Sequence, residues 1–159
     1  MMKAITYLQF GGKAEEALAF YAQALQADSV AKVKFNAFVQ NPDFPLMEAE
    51  QQMIMESRIE FMEGMVLMIS DVPASMQAVT GEVTKGTNVL ISIIDAEPEK
   101  NQQIFEKLAE GGKVIMPLSS VPWSASFGMI IDRFGVMWKF NSEASKFLDG
   151  FADKTKINN

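Results

Sequence analysis

The hydrophobic pattern is clearest in residues 53–71, MIMESRIEFMEGMVLMISD, where two apolar-rich runs flank Glu63-Gly64. A two-residue connection with glycine second suits a tight hairpin turn whose backbone needs positive φ. In the first run Met53, Met55, Ser57, Ile59 and Phe61 alternate with Glu56, Arg58 and Glu60, so the odd face is expected to be buried and the even face wet. Ser57 alone interrupts the apolar face. It is either a hydrogen-bonded core serine or the polar point of a ligand pocket.

The same alternation marks residues 4–10 as a strand that Gly11-Gly12 ends. Residues 13–25 then place Ala17, Leu18, Tyr21 and Leu25 on one helical stripe, with Glu15 and Glu16 in the first turn where the helix dipole favours negative charge. Residues 28–38 alternate as a second strand. Pro42 and Pro45 rule out a central strand after it and leave a loop to about residue 52, long enough to act as a flap. Residues 73–85 are polar and turn-like.

Beyond that connection, residues 88–94 are nearly all apolar, as in a strand covered on both faces. Asp95 as cap and Pro98 near the first turn open a helix with Ile104, Phe105 and Leu108 on its apolar stripe, and Gly111-Gly112 stops it. A short strand over 113–118 ends at Pro117, a loop over 119–124 carries Trp123, and 125–132 with 136–141 form a hairpin around Arg133-Phe134-Gly135. The tail from Ser142 is expected to fray. Strand, turn, helix, strand, hairpin therefore occurs twice. The expected fold is α+β, with tandem βαβββ modules over about 4–71 and 87–141, a linker over 72–86 and a C-terminal tail over 142–159. Each mixed sheet curls, with a helix on one face and a cavity on the other.

Composition narrows the chemistry. The 159 residues contain no cysteine, which excludes disulfides, thiolate metal sites and cysteine nucleophiles, and no histidine, the commonest transition-metal ligand and the usual general base near neutral pH. A net charge of −6 with dispersed lysines and arginines argues against nucleic acid or an anionic membrane as partner. The N-terminal residues read as a strand rather than a signal peptide, and no apolar run reaches the roughly 18 residues of a membrane span. A soluble, cytoplasmic protein is the expectation.

Four clusters together carry a resemblance: Tyr7-Leu8-Gln9-Phe10 with Glu15-Glu16-Ala17 and Phe20-Tyr21; Leu67-Met68-Ile69-Ser70-Asp71; Leu108 to Gly112 with Val114 and Met116-Pro117-Leu118; and Trp123, Phe127-Gly128, Asp132 to Val136 and Trp138. In this order they resemble the PhnB-like branch of the vicinal oxygen chelate superfamily, which also holds glyoxalase I, bleomycin-resistance proteins and extradiol dioxygenases. The resemblance implies paired βαβββ modules, a homodimer and a pocket inside the curved sheets. Some members carry the label 3-demethylubiquinone-9 3-methyltransferase, but nothing in this sequence resembles the glycine-rich turn that binds S-adenosylmethionine.

Catalytic members of the superfamily hold a divalent metal with His and Glu side chains on inward strands. Aligned on the shared motifs, those positions fall at or beside Thr6, at Ser57 and at Lys139, none of which suits a metal. Metal and cofactor are accordingly expected to be none. Thr6, Ser57 and Lys139 line a metal-free pocket, or else are a core threonine, a core serine and a solvent-facing lysine, since Trp138 claims the apolar face beside Lys139. Glu56 and Glu60 read as a solvated surface, and Asp71 and Asp132 as acceptors for turn amides. Methionines concentrate in both hairpins, where they fill an irregular core or wall a site for flat apolar ligands. Met55, Tyr7, Phe61, Trp123 and Trp138 would supply such a wall, and Gln9 an amide. Three readings follow: a metal-free protein binding a small apolar or aromatic molecule; a superfamily lyase, isomerase or dioxygenase using a carboxylate-held ion or no metal; or a scaffold with a filled pocket.

Overall fold

Each half of the chain builds a four-stranded mixed sheet with one helix against it. The computed structural model describes residues 1–153. These divide into two units, 1–85 and 86 onward. The first unit runs β1 (Thr6–Phe10), α1 (Ala14–Ala24), β2 (Ser29–Lys34), a 3-10 turn (Phe35–Ala37), α2 (Glu48–Gln51), β3 (Ile54–Phe61), β4 (Met65–Asp71) and α3 (Ala74–Thr80). The second runs β5 (Ile91–Ile94), α4 (Pro98–Ala109), β6 (Lys113–Val121), β7 (Ser124–Ile131), β8 (Met137–Asn141) and α5 (Ala144–Phe151). Strand order is β1-β4-β3-β2 in one and β5-β8-β7-β6 in the other; the edge pairs β1–β4 and β5–β8 are parallel, and the other two pairs of each sheet are antiparallel. The fold is thus the tandem βαβββ arrangement of the α+β class. Among the described residues no helix is long and apolar enough to cross a membrane.

Helix α1 buries the stripe its spacing foretells: Ala17, Leu18, Tyr21 and Leu25 are each at most 3% exposed. It packs on the odd face of β3 and β4, where Ile59, Phe61, Leu67 and Ile69 are buried. Each such side chain removed from water contributes about 1.5–3 kcal/mol. Lys32 and Lys34 of β2 emerge on this same side and pair with Glu15 of α1 at 2.7 and 3.3 Å. Lys32 foremost, then Lys34, holds the Glu15 carboxyl below its usual range.

In the second unit Phe105 of α4 meets Phe140 of β8 edge-on at 5.4 Å, over Gly128 of β7. A Cβ on Gly128 would lie 3.0 Å from both Phe105 and the Leu118 backbone, so glycine sets how closely helix and sheet approach.

Several local expectations are corrected. The first hairpin closes with Phe61 opposite Met65, which leaves a three-residue connection of Met62, Glu63 and Gly64, all at positive φ (46°, 59° and 104°). A register shift pairs Val33 with Glu56 but Lys34 with Ile54, so Met55 is the extra residue of a bulge. Ile54 is therefore buried and Met55 is 41% exposed, the reverse of strict alternation. Pro117 does not end β6, because β6 is an edge strand whose ladder is already irregular there. The polar connection after β4 contains α3, and the loop before β3 contains α2. Asp95 accepts from the Ser145 amide at 3.0 Å at the start of α5 instead of capping α4, whose first residue is Pro98. The tail thus forms a helix to Phe151, and 154–159 lie outside the described residues.

Candidate functional site

Cross-strand partners point to the same side of a sheet, so the registers define the face turned away from each helix. In the first unit that open face carries Tyr7 and Gln9 of β1, Met68 and Ser70 of β4, Glu56, Arg58 and Glu60 of β3, and Ala31 and Val33 of β2. It holds a depression of about 250 Å³ lined by Ala31, Val33, Glu56, Arg58 and Met68, with Lys32 and Ser57 also at its wall. The Tyr7 hydroxyl donates to Glu56 Oε1 at 2.7 Å. Partial burial pushes the Tyr7 phenol up, a hydrogen bond with Ser70 opposes this, and the Glu56 carboxylate adds to it. Arg58 Nε meets Glu60 Oε1 at 3.0 Å.

In the second unit the open face carries Ser92 of β5, Met137 and Lys139 of β8, Phe127 and Met129 of β7, and Met116 of β6. Trp123, in the β6–β7 connection, is 44% exposed and lies edge-on to Phe127 at 5.9 Å.

The candidate residues therefore divide. Tyr7 and Gln9 lie on the open face of the first unit and Lys139 on that of the second, while Trp123 flanks Phe127. Met55 is exposed at the bulge. Thr6 pairs with Leu67 and so belongs to the helix side of its sheet. Ser57 is 3% exposed, and its hydroxyl donates to the Ile69 carbonyl at 2.5 Å, which makes it a hydrogen-bonded core serine. Phe61 is buried on the same side. Trp138 is fully buried, and its Nε1 donates to Asp132 Oδ2 at 2.8 Å, so it packs the core under α4. Alternation on β3 missed Glu56 and Arg58 as a wall because a wet strand face and a site face carry the same polar pattern. Met68, apolar on that polar side, was the available signal.

The acids with the deepest burial serve the backbone. Asp71 Oδ1 accepts from the amides of Gly12 (2.8 Å) and Ala14 (3.0 Å), and Oδ2 from that of Ile54 (3.0 Å). Asp132 Oδ1 accepts from Phe134 and Val136. Among the described residues no three acidic groups come together in a way that could hold a metal ion. With no histidine in the chain, the residues present do not fit the divalent ion of catalytic superfamily members. They also offer a nucleoside cofactor little at the β1–α1 turn, whose amides at Gly12 and Ala14 are already bound to Asp71.

Comparison with known proteins agrees with this architecture. A family model described as 3-demethylubiquinone-9 3-methyltransferase matches residues 2–141. The crystal structure of protein PA1353 from Pseudomonas aeruginosa is 31% identical, covering 89% of this chain and 97% of that one with a TM-score of 0.71. A putative 3-demethylubiquinone-9 3-methyltransferase, PhnB protein, from Bacillus cereus is 28% identical, covering 88% and 98% with a TM-score of 0.64. The fosfomycin resistance protein FosX from Listeria monocytogenes shares the fold alone, at 10% identity, 92% and 96% coverage and a TM-score of 0.59. Two βαβββ units, the motif clusters and a family match over residues 2–141 lead to one assignment: the chain belongs to the 3-demethylubiquinone-9 3-methyltransferase-like, PhnB-type family of the vicinal oxygen chelate fold.

Proposed function

We propose that this protein binds a small apolar or aromatic molecule directly on its own side chains, without a metal ion. The observation that carries the reading is the depression of about 250 Å³ on the first sheet, where Ala31, Val33 and Met68 give an apolar floor and Glu56 and Arg58 give polar edges. Small-molecule sites are of this kind, apolar with a few fixed polar groups, and begin at about 300 Å³ for drug-sized ligands. Met68 supplies an adaptable thioether and Tyr7 an aromatic ring beside it, since the two are register partners. The lack of histidine and of a three-acid group among the described residues supports binding over metal-assisted catalysis.

The test is metal analysis of protein purified without an affinity tag, joined to thermal melts across divalent ions and a panel of flat aromatic compounds. A compound at 100 times its Kd adds about 2.7 kcal/mol, which raises Tm by roughly 5–10 °C for a chain of this size. Met68→Glu, which places a charge on the apolar floor, should abolish that rise. Stoichiometric tightly held metal, a melt that climbs with one ion, or no response to any compound would refute the reading.

A further inference from the structure

The second unit contains a hydrogen-bond donor pair that its own fold leaves unanswered. The Ser92 hydroxyl oxygen is buried and has no hydrogen-bond partner among the described residues. Buried hydroxyls are nearly always satisfied, and an orphan implies a role outside the fold. Ser92 is the register partner of Lys139 on the neighbouring parallel strand, so both side chains rise from the same face. Lys139 is half-buried, and no carboxylate among the described residues pairs with it, whereas Lys13, Lys32, Lys34, Lys107 and Lys146 all pair with glutamates. Continuing across the sheet in register, Lys139 is followed by Met129 and then Met116. The row thus begins with two donors and continues in thioethers.

We infer that this face binds an aromatic or apolar carboxylic acid, with Lys139 and Ser92 donating to the carboxylate and Met129 and Met116 lying under the apolar body. The inference rests on the small-molecule reading above and adds the chemical class of the ligand and a second set of residues. A cation and a hydroxyl together satisfy both oxygens of a carboxylate, and the charge-assisted bond repays the desolvation that a neutral ligand would leave uncompensated. An uncharged amide fills the methionine surface but offers one acceptor oxygen in place of two and no charge to assist the bond.

The experiment is isothermal titration calorimetry with 2-naphthoate, indole-3-acetate and phenylacetate, each paired with its neutral amide, on the native chain and on Lys139→Met and Ser92→Ala. Each acid is expected to bind at least tenfold more tightly than its amide, with the difference shrinking as salt is raised. Lys139→Met should remove that preference, and Ser92→Ala should weaken the acids several-fold and the amides by less. Ser92→Ala deletes an unbonded hydroxyl, so its Tm should not fall, and it serves if Lys139→Met does not fold. Amides that bind as well as acids, or a preference that survives both substitutions, would overturn this inference and leave the small-molecule reading standing. Failure of every acid and every amide to bind would overturn both.

Discussion

Asp132 and Trp138 form the buried polar contact on which the second unit's hairpin depends. Asp132 is 3% exposed and Trp138 fully buried. One carboxylate oxygen serves the Phe134 and Val136 amides at 2.9 and 3.0 Å, and the other serves the indole N–H at 2.8 Å. Asp132→Asn keeps a carbonyl oxygen for the two amides but turns an NH2 group toward the indole N–H, donor against donor. A charge-assisted bond is lost and a buried donor is left unsatisfied, at a cost of about 2–3 kcal/mol. For a chain of this length that is a fall in Tm of roughly 5–10 °C. Trp138→Phe removes the indole donor at the cost of about 2 kcal/mol in lost burial and cavity. In the double variant the opposed donors are gone, so the losses should not add. Urea titrations followed by far-UV circular dichroism on all four proteins give the coupling, expected at about 1–2 kcal/mol toward a milder double variant. Losses that sum to within about 0.5 kcal/mol would show that the indole and the carboxylate act independently.

Other expectations follow from the same geometry. Asp71→Ala strands the amides of Gly12, Ala14 and Ile54 and should cost about 3–5 kcal/mol, read as a loss of urea midpoint. Gly112→Ala brings a Cβ to 2.3 Å from the Ile131 carbonyl oxygen, a backbone contact that cannot yield, so the variant should lose more than about 2 kcal/mol or fail to fold; a native Tm would contradict the packing. Glu50 is buried, and its carboxylate accepts from the Met47 amide at 3.0 Å and from the Ser75 amide and hydroxyl at 3.2 Å each. The Met47 bond foremost, aided by Ser75, holds its pKa below the usual carboxylate range. A folded-state pKa lowered in this way adds stability that is fully present above the unfolded value of about 4.3 and is lost as pH falls through the folded one. Melts between pH 7 and pH 3 should therefore fall more steeply for the native chain than for Glu50→Gln, and parallel curves would rule the linkage out.

Periodicity disclosed the repeat and the helical stripes, because each depends on local spacing; turn chemistry disclosed Asp132, which serves amides two and four residues on, whereas Asp71 accepts from the distant amides of Gly12 and Ala14. It failed where one strand's geometry is set by its neighbour. Nothing in residues 53–61 marks the bulge at Met55, which arises from how β2 pairs with β3 and exchanges the faces of Ile54 and Met55. Likewise Pro117 ends a strand by propensity, yet an edge position tolerates it. The site was legible only in part for a related reason. Ser57 stood out as the polar break in an apolar face, but that face belongs to α1, and the serine's acceptor, the Ile69 carbonyl, lies on a strand that alternation treats separately.

The placement of acids and donors determines what remains available for recognition. Glu50, Asp71 and Asp132, each at most 5% exposed, all accept from backbone amides and so fix turns and helix starts. On the first open face Glu56 already accepts from Tyr7. A carboxylate committed to two or three donors is a poor metal ligand and a poor base, because either role requires giving up bonds that hold the backbone. The open faces are instead supplied with donors, Gln9 and Arg58 on one sheet and Ser92 and Lys139 on the other, set among methionine and aromatic side chains. Such surfaces favour ligands that accept: an electron-rich group finds donors on both faces, while the carboxylates of the first face, Glu56 and Glu60, are already bonded to Tyr7 and Arg58. Net charge works the other way, since −6 over the whole chain repels anions at long range. Binding of an acid should accordingly associate slowly at low salt and speed up as screening shortens that repulsion, while the equilibrium preference for acid over amide shrinks, a pair of opposite salt trends that stopped-flow fluorescence and calorimetry on one probe can separate.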